Sequence, residues 1–263
     1  MSDALLATRG LTKRFGHFAA NSDIDFSVRA GELRAVIGPN GAGKTTFFNL
    51  LAGATLVTSG EIVFKGTPIT TLAGPRRVAR GIAKAFQTAN IYPDETVLQN
   101  CRLAALAKLQ GTFAPTFFRR STRLGAVDER AHAALSDVDL SDAAGARAGD
   151  LSHGDKKRLD IAIALATGPE VLLLDEPVAG MSIEEVQKTD RLIRVLAQRM
   201  TVLIIEHDMD LIMGISDSIT VLHQGRILAQ GTPAEIRADQ RVQDAYLGGH
   251  VEGSASGDEE GAR

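Results

Sequence analysis

GPNGAGKTT, residues Gly38 to Thr46, decides how the rest of the chain is read. It fills every fixed position of a phosphate-binding loop: a glycine, four residues, then Gly-Lys-Ser/Thr. Val36-Ile37 ends an apolar strand before the loop, and Phe47-Phe48-Asn49-Leu50-Leu51 continues a helix after it until Gly53. The glycines let backbone N–H groups turn toward one centre, and a helix starting near Gly43 aims its positive dipole end at the same point. Lys44 is placed to reach the outer phosphates, and Thr45 to put a hydroxyl on Mg²⁺. The ligand implied is a nucleoside triphosphate, with Gly38, Pro39, Asn40, Gly41, Ala42, Gly43, Lys44, Thr45 and Thr46 as its candidate contacts.

Upstream, short apolar stretches alternate with turn residues from Leu5 to Ile37; Ile24-Asp25-Phe26-Ser27-Val28 followed by Ala30-Gly31-Glu32 predicts antiparallel strands and a hairpin. Downstream, Glu61 to Phe64 reads as a strand, Pro75 to Ala79 as a helix and Ile82 to Phe86 as extended chain. From Val97 to about Ser141 the pattern turns alanine- and leucine-rich at helical spacing, interrupted by Gly111-Thr112-Phe113-Ala114-Pro115, which predicts an inserted helical subdomain. A helix from Gly154 to Ala166, a strand Val171 to Leu174, a helix Ile183 to Gln198 and a strand Thr201 to Ile205 follow. Strands alternating with helices predict a parallel sheet covered on both faces. Val221-Leu222 and Ile227-Leu228 read as a terminal hairpin. Gly249 to Arg263 has almost no apolar residues and is expected to be a disordered polar tail.

The second chemical element is Val171-Leu172-Leu173-Leu174-Asp175-Glu176-Pro177, an apolar strand ending in two acids. Such an arrangement holds Mg²⁺ through one carboxylate and polarises water with the next. Asp175 is the candidate metal residue. Glu176, expected to point the other way because strand side chains alternate, is the candidate general base.

Composition narrows the class. At 263 residues and 44% hydrophobic the chain has ample material for a core, and a net charge of −3 argues against binding nucleic acid through bulk electrostatics. Arg119-Arg120 with Arg123, and Lys156-Lys157-Arg158, read as solvated faces. The single cysteine, Cys101, forms no internal disulfide and no zinc site, which fits a reducing cytoplasm. Apolar runs are strand-length, far below the ~20 residues of a membrane span, and the N-terminus lacks a secretory pattern. The protein is expected to stay where it is made.

LSHGDKKRLDIAIAL, Leu151 to Leu165, resembles the ABC signature: Leu151, Ser152 and Gly154 match, while His153 and Asp155 replace the usual Gly and Gln. A Ser hydroxyl and a Gly N–H at a helix start suit an anion, and the resemblance implies that the anion is the ATP held by another subunit. Further motifs follow in the family's order. Gln87 resembles the Q-loop glutamine, linking γ-phosphate and Mg²⁺ to the helical subdomain; His207 resembles the switch histidine; Phe15 occupies the position that stacks on adenine. Val178-Ala179-Gly180-Met181-Ser182 sits where the D-loop belongs, with Ser182 in place of the common Asp.

The resemblance spans about Leu5 to Gly248 and identifies an ABC ATPase. It implies an α/β P-loop NTPase fold with a mostly parallel core sheet, an N-terminal antiparallel β subdomain and an inserted α-helical subdomain at about 88–166, in a nucleotide-binding domain of residues 1–248. AKAFQTANIYPDETVLQN, IEHDMDLIMGISDSITVLHQGRILAQGTP and DAYLG look like the ATPase subunits of branched-chain amino acid importers, while LSHGDKK, PVAGMS and VLHQG look as much like the urea branch. A lipopolysaccharide-type exporter shares the YLG-like ending; a soluble ABC protein usually has two cassettes or coiled-coil insertions. The implied ligands are ATP and Mg²⁺. The implied partners are a second ABC ATPase in a homodimer or, since the importer group often uses two different ATPase subunits, a heterodimer, two transmembrane permeases and indirectly a periplasmic or extracellular solute-binding protein, with no nucleic acid. The implied place is the cytoplasmic face of the inner membrane.

Overall fold

Two sheets share one phosphate loop at their seam. The computed structural model describes residues 4–85, 91–110 and 120–247. Gln87, the Gly111–Pro115 interruption and the segment from Gly249 onward lie outside the described residues. The first sheet has the order β2-β1-β4-β5, from β1 (Ala4–Phe15), β2 (Phe18–Arg29), β4 (Ser59–Phe64) and β5 (Thr67–Pro68), with antiparallel pairing throughout. The second has the order β10-β9-β3-β8-β7-β6, from β3 (Leu33–Ile37), β6 (Ile82–Ala85), β7 (Val171–Asp175), β8 (Thr201–Ile205), β9 (Ser218–His223) and β10 (Arg226–Gly231). Its pairings are parallel except for the terminal β9–β10 hairpin.

One expectation changes here. The hairpin lies at Gly16-His17, where β1 turns into β2; the Ala30-Gly31-Glu32 turn instead carries the chain from the antiparallel sheet into the parallel one. The cause is the burial of β3 between β8 and β9: Leu33, Ala35 and Ile37 are buried on one face and Val36 on the other, with Arg34 paired to Glu32, so the strand is stable in the middle of a sheet and not at its solvated side.

The two faces of β3 divide the core. Leu33, Ala35 and Ile37 pack toward α3 (Val97–Gln110), α4 (Arg120–Asp137), α5 (His153–Ala166) and α6 (Ile183–Ala197). Val36 packs the other way, with α1 (Lys44–Ala52) and the antiparallel sheet. There Phe47 of α1 meets Phe26 of β2 edge to face, centroids 5.2 Å apart, and each such buried aromatic adds roughly 1.5–3 kcal/mol by desolvation. Strands β7 and β8 are buried at every residue. The helical region is thus continuous with the core under β6 and β7, with Val97, Cys101 and Ala105 facing Val127, Ala131 and Leu135.

The far end of α1 is fixed by a buried charge. Arg77, on α2 (Gly74–Arg80) and 1% exposed, donates from Nη1 to the Leu50 and Leu51 carbonyls, from Nε to Leu72 and from Nη2 to Thr70. The Leu50 and Leu51 carbonyls belong to the last turn of α1, where no intrahelical donor remains, and those of Thr70 and Leu72 to the loop between β5 and α2. Burial lowers the Arg77 pKa to about 10. Gly53 then closes α1 in left-handed geometry, φ 72°, with its N–H on Asn49 and Leu50 carbonyls.

Candidate functional site

The loop between β3 and α1 is shaped by close backbone approach. At Gly38, φ 148°, a Cβ would lie 2.0 Å from the Leu222 carbonyl oxygen; at Gly43, φ 96°, it would lie 2.3 Å from the Ala20 carbonyl oxygen. Only glycine fits either place. Gly43 is the N-cap of α1 without a side-chain cap, so the first N–H groups of the helix carry no side-chain acceptor. Asn21 of β2, fully buried, holds the Gly43 carbonyl through Nδ2 at 3.2 Å. Lys44, 6% exposed, donates to the Gly38 and Pro39 carbonyls at 2.7 and 3.1 Å. Burial lowers its pKa, and Glu176 and Asp175 oppose that shift. Both acids therefore act electrostatically on the loop lysine. Thr45 is exposed at the first turn of α1.

Asp175 and Glu176 take different partners, but not as successive residues of one strand. Strand β7 ends at Asp175, and Glu176 has left-handed geometry, φ 53°, with its N–H on the Ile205 carbonyl at 3.0 Å. This turn brings the Glu176 carboxylate to His207, Oε1 to Nε2 at 2.6 Å. The direction of Glu176 is thus set by a left-handed turn and not by strand alternation, because the extended backbone stops one residue earlier. Asp175 is 2% exposed; its Oδ2 accepts from Lys84 Nζ at 2.8 Å, and Lys84 also donates to Asn49 of α1 at 2.8 Å. Asp175 Oδ1 is buried with no hydrogen-bond partner among the described residues. A buried, unpartnered carboxylate oxygen and an exposed Thr45 hydroxyl are hard oxygen donors of the kind Mg²⁺ prefers, so these residues fit the ion.

Lys156-Lys157-Arg158 is not a solvated face. Lys157, 7% exposed, donates to the Glu176 carbonyl at 3.0 Å, and Arg158 bonds the Val138 carbonyl and Asp155. Burial lowers the Lys157 pKa; Glu206, Glu176 and Asp160 oppose it. Helical periodicity carries the reason: Lys157 lies on the same side of α5 as the buried Gly154 and Ile161.

Ser152 is the N-cap of α5, its hydroxyl accepting the Asp155 N–H at 3.1 Å. Gly154 packs on Glu185 of α6, where a Cβ would meet Oε1 at 2.1 Å, and Glu185 forms a capping box with Ser182. The structure thus joins Gly154, two residues after the Ser152 cap, to the start of α6, while Lys44, Asp175, Glu176 and His207 converge elsewhere. Phe15 stands at the tip of the β1–β2 hairpin, 53% exposed, with the Lys13 ammonium 4.7 Å from its ring centroid. On the other side of the loop a cleft of about 650 Å³ separates Pro39–Ala42 from Arg241 and Asp244 of α9 (Gln240–Leu247). Gln87 lies outside the described residues. Lys84, Lys157, Glu206 and Asn21 are site neighbours that carry no motif of their own; their partners come from distant elements.

The profile of the ABC transporter family matches residues 21–179, well over half of the chain. The chain belongs to the ABC transporter family. As an ABC ATPase it binds and hydrolyses ATP. A second profile, described as branched-chain amino acid ATP-binding cassette transporter, matches residues 226–252. The chain is 41% identical over 256 residues to the high-affinity branched-chain amino acid transport ATP-binding protein LivG of Salmonella typhimurium, covering 94% of this chain and 99% of that one. It is 40% identical to BraF of Pseudomonas aeruginosa, a protein of the same description, with the same coverage. Among solved structures, a nucleotide-free ATP-binding cassette of an ABC transporter aligns with TM-score 0.80 at 29% identity, covering 92% of this chain and 98% of that one. The ADP form of such a cassette aligns with TM-score 0.80 at 29% identity, covering 93% and 99%.

Proposed function

We propose that this ABC ATPase powers uptake of branched-chain amino acids through partner permeases, and that Lys44, Asp175, Glu176 and His207 carry its chemistry. The observation that carries the chemistry is the 2.6 Å contact of Glu176 with His207 at the strand end whose acids act on Lys44. The cargo reading is supported by the names of the LivG and BraF relatives and by the match of residues 226–252.

The phosphate loop binds ATP through the N–H groups at the start of α1, and Lys44 turns from the Gly38 and Pro39 carbonyls to the outer phosphates. Glu176 accepts a proton from the attacking water as its oxygen bonds the γ-phosphorus and the bond to the ADP oxygen breaks; His207 orients the carboxylate and the water. Thr45 and Asp175 would hold Mg²⁺, with Gln87 as the third candidate, and the bound ion would supply positive charge to the phosphates. Phe15 offers its exposed ring to adenine. Ser152 and Gly154 serve the ATP of a second ATPase subunit, so two ATPs lie between two chains and closure drives the permeases.

Residues 1–248 form the nucleotide-binding unit, with 88–166 as its helical arm. Among the described residues no helix is long and apolar enough to cross a membrane. As the ATPase subunit of a transporter the chain takes a peripheral place on the cytoplasmic face, held there by two permeases and served by a solute-binding protein; the transport names of its relatives support this. The permease contact lies in residues 89–97, where Tyr92 is exposed and Asp94 pairs with Arg147 at 2.6 Å. Charge reversal at Asp94 and Glu95 that leaves assembly and transport unchanged would remove this assignment. The reading as a whole is tested by reconstituting the chain with its co-purifying permeases and binding protein in vesicles loaded with Mg-ATP. Leucine, isoleucine and valine uptake is expected; uptake of urea or short amides instead moves the cargo to that branch, and recovery of no permease defeats the transport reading.

A further inference from the structure

Glu206, directly after β8, is a buried carboxylate with no part in the chemistry above. It is 4% exposed. Its Oε1 accepts the N–H of Val178 at 2.9 Å and its Oε2 accepts the N–H of His207 at 3.2 Å. Burial pushes its pKa up, and the two amides offset part of that shift. Val178 follows Glu176 by two residues, and His207 is the next residue in the chain. One carboxylate therefore spans the two backbone segments whose side chains meet at 2.6 Å in the Glu176–His207 contact. Lys157 closes the arrangement from α5, bonded to the Glu176 carbonyl, with Glu206 the strongest of the acids that favour its charge.

We propose that Glu206 is a positioning residue for ATP hydrolysis, clamping the Val178 and His207 amides so that Glu176 and His207 stay in register beside the phosphate loop. Both carboxylate oxygens are engaged by main-chain donors, which suits a clamp and leaves the proton transfer to Glu176. A glutamine of the same shape accepts from one amide and presents an NH₂ donor to the other, so Glu206→Gln loses one side of the clamp while keeping the packing. The proposal rests on Glu176 and His207 being the hydrolytic pair.

The test is steady-state ATP hydrolysis by the full chain assembled with its partner subunits, together with binding of a fluorescent ATP analogue. Glu206→Gln is expected to lower kcat about tenfold or more, since small misplacements of reacting groups carry losses of that order, with analogue affinity and KM changed by less than about twofold. In a His207→Ala background Glu206→Gln is expected to add clearly less than its own full loss, because the part of its effect that runs through His207 is already gone. Unchanged kcat, or a loss that multiplies fully onto the His207→Ala loss, overturns the clamp; so does a fall in affinity that accounts for the whole effect. If Glu206→Gln does not fold, Glu206→Asp keeps the charge and reaches one amide, and the same kcat–KM split is required of it. Single Glu176→Gln and His207→Ala variants that hydrolyse ATP normally defeat the underlying site reading and the clamp with it, whereas their loss with an intact Glu206→Gln rate defeats the clamp alone.

Discussion

Lys84→Met tests the electrostatics around the proposed metal carboxylate. Lys84 and Asp175 form a pair with side chains 5% and 1% exposed, at 2.8 Å, and Lys84 also holds Asn49 of α1. Methionine keeps most of the stem's packing and removes the charge, leaving Asp175 buried with neither oxygen paired to Lys84. Removing one partner of a buried pair costs about 3–5 kcal/mol. For a domain of this size each kcal/mol moves Tm by about 2–4 °C, so the expected loss is roughly 6–20 °C. The assay is thermal unfolding followed by circular dichroism, with urea titration to check that the m-value is unchanged. Mg-ATP is expected to return a larger share of stability to Lys84→Met than to the parent, because a bound cation then supplies the charge the carboxylate has lost. A Tm loss below about 2 °C, or the same loss for Asn49→Ala, refutes the reasoning: the first means the pair contributes little, the second that only the α1 contact matters.

Other substitutions isolate other parts. Gly38→Ala is expected to abolish ATP binding in a fluorescent-nucleotide titration, because its Cβ would lie 2.0 Å from the Leu222 carbonyl oxygen. Arg77→Met, which strips donors from buried carbonyls at the end of α1, is expected to lower unfolding free energy by about 3 kcal/mol or more in urea titration. The Cys101 thiol is buried and its pKa is pushed up to about 12 from 9.0. Its contribution to stability is therefore fully present below pH 9 and is lost as pH rises toward 12. Urea unfolding of the parent and Cys101→Ala at pH 8 and pH 10.5 checks the sign: the parent's extra loss between the two pH values should vanish in the variant.

The sequence made much of the fold legible because several motifs depend on local backbone geometry. The loop from Gly38 to Thr46, the apolar β7 with its acids and the helix after Ser152 each announce themselves in a few consecutive residues, and their order implies the parallel sheet. Departures arise where tertiary partners decide. Ala30-Gly31-Glu32 carries turn residues suited to a hairpin, yet β3 has buried apolar residues on both faces and is drawn between β8 and β9. Glu176 reads as the next strand residue, but its N–H is taken by the Ile205 carbonyl in left-handed geometry. Lys157 looks like part of a solvated basic run until α5 packs beside Glu176. Lys84, Asn21 and Arg77 had no signal of their own, since the groups they hold are 22 to 91 residues away or, for Arg77, at the end of another helix. Glu206 had one weak clue, an acid directly before the histidine that follows β8.

The most direct measurement of the central claim is single-turnover release of labelled phosphate from γ-labelled ATP by the assembled parent and Glu176→Gln complexes, with bound nucleotide quantified on the same samples. The account expects the parent to release phosphate and Glu176→Gln to retain intact ATP with undiminished affinity and to accumulate as ATP-bound dimers. Release by Glu176→Gln at the parental rate would contradict it, placing the hydrolytic base somewhere other than the Glu176–His207 pair.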